Sequence, residues 1–167
     1  MCVVSGSIKR LLFDECVGKP VMMRLRPYVP HDVELCHIVD KYAEGDKDED
    51  WIPKLGIEGG WVVITFDAGR NSKVGQKLPE LCLVHKVTHI VMSGTLNQAT
   101  TLEKVNLIAP AWPLINGVFS SSKGSRYHMR RVTRNGTRSP MVSVEICKVT
   151  AKRLSADARR NSGATNG

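Results

Sequence analysis

Trp61-Val62-Val63-Ile64-Thr65-Phe66-Asp67 is the stretch on which the fold turns. Its apolar and β-branched residues run on without polar alternation, the pattern of a strand buried on both faces, and an acid stands just past its end. Working outward, residues 8–13 repeat the plan: Ile8, Leu11, Leu12 and Phe13 lead into Asp14-Glu15. Between the two strands, Gly18, Lys19 and Pro20 open a helix whose apolar stripe is Val21, Met22, Leu25 and Val29 before Pro30 ends it. Residues 32–39 suggest another strand, and 41–47 a charged connection. Asp48 then caps a helix over 49–58, with Trp51, Ile52 and Leu55 on one face, Pro53 in the first turn and Gly59-Gly60 at the close.

Beyond Asp67 the alternation continues. Leu78-Pro79 opens a helix with Leu81, Cys82 and His85 inward, residues 88–92 form an apolar strand, and 97–109 read as a helix through Leu102, Val105 and Ile108. Pro110 and Pro113 separate that helix from 112–119. Strands alternating with helices, and apolar throughout, predict an α/β architecture with a central parallel sheet flanked by helices. Residues 127–133 and 141–147 flank Asn135-Gly136, a hairpin signal.

The chain has 167 residues, 42% of them hydrophobic. That suits one globular domain and excludes two large ones. Apolar runs are far shorter than a membrane span needs. Five cysteines without a paired spacing read as reduced thiols of a cytoplasmic protein. The net charge of +8 is unevenly divided: residues 1–122 carry −1 and residues 123–167 carry +9. Arg126, Arg130, Arg131, Arg134 and Arg138 are therefore the candidate nucleic-acid-binding residues, with Tyr127 and His128 as stacking faces. The divisions expected are a domain over 8–122, a small basic C-terminal β-hairpin over 123–154 and a disordered tail over 155–167.

In an open parallel sheet, ligands bind beyond the carboxyl ends of the strands. Asp14, Glu15 and Asp67 fall on that rim, and Asp48, opening the intervening helix, is placed to face it. Carboxylates about 4 Å apart repel by roughly 4 kcal/mol per pair at an effective dielectric near 20. An Mg²⁺ or Mn²⁺ ion would relieve the repulsion and engage phosphate oxygens. Acids on the rim and cations in the tail together suggest phosphodiester hydrolysis. Each acid also has a plainer explanation: Asp48 as a helix cap, Asp14 and Asp67 as turn residues. Thr65 reads as a β-former, and His85 and His89 as structural.

Leu11-Leu12-Phe13-Asp14-Glu15, Asp48-Glu49-Asp50-Trp51-Ile52-Pro53 and residues 61–67 stand in an order and spacing that resemble the PIN-like nucleases, in particular the branch related to VapC-type toxins and allied to the Mut7-C group. The resemblance spans about residues 8–115. It implies a Rossmann-like PIN fold, a divalent-metal ribonuclease activity and an antitoxin partner that masks the site. By the same resemblance Asp14, Asp48 and Asp67 are metal ligands, and Glu15 follows the Asp-Glu pairing of the branch. After Asp67 the sequence departs from the family, giving Ala68-Gly69-Arg70-Asn71 where another acid is usual. The resulting expectation is an endoribonuclease, the toxin-like component of a toxin–antitoxin system, with RNA, a cognate antitoxin and a second copy of itself as candidate partners. Its alternative is a non-catalytic RNA- or antitoxin-binding module.

Overall fold

The computed structural model describes residues 8–66, 78–92, 96–121, 123–134 and 141–148. Within these residues six strands form one sheet: β1 (Lys9–Phe13), β2 (Val33–His37), β3 (Trp61–Thr65), β4 (Thr88–Met92), β5 (Arg126–Arg134) and β6 (Met141–Lys148). Their order is β2-β1-β3-β4-β5-β6. β1 to β5 are all parallel, and β6 closes the edge antiparallel to β5. The predicted α/β parallel architecture is what the chain adopts.

Among the described residues six α-helices cover the sheet: α1 (Lys19–Leu25), α2 (Ile38–Lys41), α3 (Asp48–Glu58), α4 (Leu78–Val84), α5 (Thr101–Ile108) and α6 (Trp112–Val118). Alternate strand residues face two separate cores. Leu11, Phe13, Val62, Ile64, Ile90, Met92 and Met129 pack under α1, α5 and α6. Leu12, Trp61 and Val63 pack under α3 and α4, against Trp51, Ile52, Leu55, Leu81 and Cys82. Burial on both faces explains why β3 and β4 read as unbroken apolar runs, with all five residues of each strand buried.

Several local expectations are corrected. The residue preceding α3 is Lys47, which makes no side-chain cap, and Asp48 is the first helical residue. An acid there still complements the positive end of the helix dipole. Pro53 lies inside α3 rather than in its first turn; burial of Trp51, Ile52 and Leu55 outweighs the hydrogen bond that proline forgoes. The strand expected over 32–39 stops at His37, and residues 38–41 turn into α2. The helix expected from Gly18 to Val29 becomes α1 and a 3-10 turn at Arg26–Tyr28, where Pro27 stands. α5 begins at Thr101, later than residue 97, because Thr100 and Glu103 form a reciprocal capping box. Leu102 consequently faces solvent, and His85 falls beyond the end of α4.

Gly59 and Gly60 both take positive φ, 68° and 73°, and turn the chain from α3 into β3. A Cβ on Gly60 would stand 2.9 Å from the Ile8 carbonyl, so glycine lets β3 start close beside β1. The hairpin expected as an appendage is instead continuous with the main sheet. Residues 126–129 of β5 pair with β4, and Met129 is fully buried in the core. The turn at Asn135-Gly136 and the tail at 155–167 lie outside the described residues.

Candidate functional site

β1 delivers Asp14 to the carboxyl rim, and the ladder holds it there: the Asp14 amide donates to the Ile64 carbonyl at 3.1 Å. Its carboxylate is oriented by three donors. Thr65 Oγ1 donates to Oδ2 at 2.6 Å, Cys16 Sγ donates to the same oxygen at 3.2 Å, and the Glu15 amide donates to Oδ1 at 2.8 Å. Cys16 is itself held, because the Phe66 amide donates to its sulfur at 3.1 Å. Burial, and then the Asp14 charge, push the Cys16 thiol up to about 11, so it stays protonated and remains a donor.

Asp14, Glu15, Cys16, Asp48 and Leu78 line one pocket of about 500 Å³. Asp48 reaches it because α3 starts at this rim and runs back across the sheet; Leu78 reaches it because α4 starts there too. Both aspartates raise the Cys82 thiol beneath them, second to burial. Lys104 of α5 braces the loop after β1, its ammonium 3.5 Å from the Cys16 carbonyl and 4.7 Å from the centroid of the Phe66 ring. His37 ends β2 beside this loop, in register with Phe13, and burial lowers its pKa.

Of the acids singled out in the sequence, Asp14, Glu15 and Asp48 thus meet at one pocket, and Asp67 lies outside the described residues. Among the described residues, no three His, Cys, Asp or Glu side chains are grouped closely enough to hold a metal ion. Thr65, read as a β-former, does more than that, since its hydroxyl positions Asp14. Cys16 and Lys104 were not singled out; a thiol two residues after a strand-end acid is the one local signal for the first, and nothing local marks the second. His89 lies in β4 and His85 in the turn after α4, so the two do not share a helix face.

The basic residues divide. Arg126 begins β5 opposite His89, at the amino end of the paired segment. Arg130 is exposed further along, and Arg131 and Arg134 follow on the same strand, opposite Val144 and Met141 of β6. Arg138 lies outside the described residues. Tyr127 and His128 are both half-buried, Tyr127 packed against the core and His128 with its Nε2 atom covered. Among the described residues, no helix is long and apolar enough to cross a membrane.

Residues 10–76 match the family described as PIN-like domain, a segment running from β1 past the end of β3 and including Asp14, Asp48 and Asp67. Neither a curated protein nor a solved structure matches the chain.

Proposed function

With a PIN-like domain over residues 10–76, a module of nuclease type, we propose that this chain is a divalent-metal-dependent endoribonuclease. The observation that carries the proposal is the meeting of Asp14, Glu15 and Asp48 at one pocket on the carboxyl rim. These are hard oxygen donors, suited to Mg²⁺ or Mn²⁺; the described acids are not by themselves grouped closely enough to hold an ion, and the proposal assigns Asp67 the place that completes the set. An ion bound there would supply charge neutralisation for a phosphate oxygen and activation of water.

The protein's own part is orientation and proton transfer. Two donors already satisfy Asp14 Oδ2 and one satisfies Oδ1, so Oδ1 keeps the freer lone pair toward a ligand. Asp48 supplies the facing carboxylate from the start of α3. Glu15, exposed at the pocket edge, takes the proton from the attacking water. The toxin-like role belongs to the same proposal and rests on the resemblance at 11–15, 48–53 and 61–67: a cognate antitoxin protein would block this pocket.

The test is cleavage of an unstructured RNA with Mg²⁺ or Mn²⁺ by the parent and by Asp14→Asn, Asp48→Asn and Asp67→Asn. Chelation is expected to abolish cleavage, and each substitution to slow it by about a hundredfold or more. Variants that cleave like the parent would overturn the site. A parent that binds RNA and never cleaves it would make the chain a binding module.

A further inference from the structure

β5 is nine residues long, yet among the described residues only its first four pair with β4. The last of those pairs is Met92 with Met129; from Arg130 to Arg134 the strand pairs, among the described residues, with β6. Because β5 runs parallel to β4, the surplus extends beyond the carboxyl end of the sheet, the side on which Asp14 and the starts of α3 and α4 lie. At about 3.3 Å per residue, five residues make an overhang of roughly 16 Å.

Charge and position coincide in this ribbon. Arg130, Arg131 and Arg134 fall within the overhang, and the one acid on β6 is Glu145, opposite Arg130. Residues 1–122 are close to neutral, so the chain's positive excess is C-terminal. Arg126 is excluded from the group by the same register, since it sits at the opposite end of β5. In the sheet, β5 is two strands from β3 and three from β1. With strands about 4.8 Å apart, the ribbon therefore stands roughly 10 to 14 Å along the rim from the strands that carry Thr65 and Asp14.

We infer that the β5–β6 overhang is a polynucleotide-holding arm, which grips the phosphates of single-stranded RNA so that the same strand crosses the rim into the Asp14–Asp48 pocket. A duplex is stiff over roughly 50 nm and does not bend across so short a gap, whereas an unpaired strand does. Cations on the arm supply sequence-independent affinity by releasing counterions. The pocket half of the inference rests on the nuclease proposal; the arm half does not.

The experiment measures binding of a labelled oligouridylate of about 12 nucleotides, titrated in chelator so that nothing is cleaved, across a salt series. Replacing Arg130, Arg131 and Arg134 together by Ala is expected to weaken binding at least tenfold and to flatten the log–log salt slope by about 2. Lys at all three positions should restore the slope, and Arg24→Ala on α1 should leave it as in the parent. Asp48→Asn should tighten binding severalfold, because a strand entering the pocket without metal meets a repelling carboxylate. A duplex of equal length should compete poorly.

An unchanged slope in the triple Ala variant overturns the arm. Failure of the Lys variant to rescue does the same, since the arginines would then act through the fold. Equal affinity of Asp48→Asn and parent shows that the strand does not reach the pocket, and equal competition by duplex removes the preference for a single strand. A parent that binds with the full slope but cleaves no RNA in Mg²⁺ or Mn²⁺ retires the nuclease proposal and leaves the arm in place.

Discussion

Asp14 draws its three donors from one neighbouring amide, one thiol two residues on and one hydroxyl across the sheet, and only the last comes from a distant segment. Thr65 is fully buried, its hydroxyl 2.6 Å from this carboxylate and 3.5 Å from the Cys16 sulfur. Thr65→Val keeps the shape and removes the donor. Hydrogen bonds to charged acceptors contribute about 1.5 to 3 kcal/mol, and the half-exposed Asp14 can recruit water in part. The expected loss is about 1 kcal/mol, read from the denaturant midpoint at unchanged slope, together with weaker Mn²⁺ binding. At this scale the sequence showed that Asp14 and Asp48 are acids at element ends. It did not show the Thr65–Asp14 pairing, because β-branched residues are common in strands for packing reasons alone.

Among the elements, α3 shows how packing overrides propensity. It carries Pro53 and Gly56, both poor helix formers, and is held by an apolar face fully buried against β3 and α4. In an isolated helix Gly56→Ala would gain roughly 1 kcal/mol. Here the new Cβ would fall 2.4 Å from the His85 carbonyl, a backbone atom just past α4. The substitution is expected to destabilise the protein in thermal unfolding; a raised Tm would show that α3 and the end of α4 are not packed as described. Helices and strands of the first two thirds were legible because their periodicity is local. The end of β2 and the start of α5 were not, because a capping box and a turn into α2 displace boundaries by a few residues.

Across the whole molecule, buried histidines set the acid limit of stability. His89 lies within β4, and burial, followed by the nearby Arg126 and His128 charges, pushes it down from 6.5 to about 3. The unfolded chain therefore takes up this proton first, and stability falls as pH drops from 6.5 toward about 3. His37 shifts in the same direction. On the alkaline side, Cys16 is raised from 9.0 to about 11, so the unfolded thiol ionises first and stability falls as pH rises through that interval. Denaturant midpoints measured against pH should show a plateau between these limbs. His89→Leu should flatten the acid limb; an unchanged limb would place the responsible protons elsewhere. What the sequence determined by itself is the alternation of buried strands with amphipathic helices, the acids that end the strands and the cationic C-terminal third, since burial period and charge are properties of neighbouring residues. Tertiary structure alone decided that β5 joins β4 rather than standing apart, that Arg126 is thereby parted from Arg130 to Arg134, and that Thr65 reaches Asp14 across the sheet. Those outcomes depend on which strands pair and in what register, a choice made by long-range packing between segments whose local sequences are silent about one another.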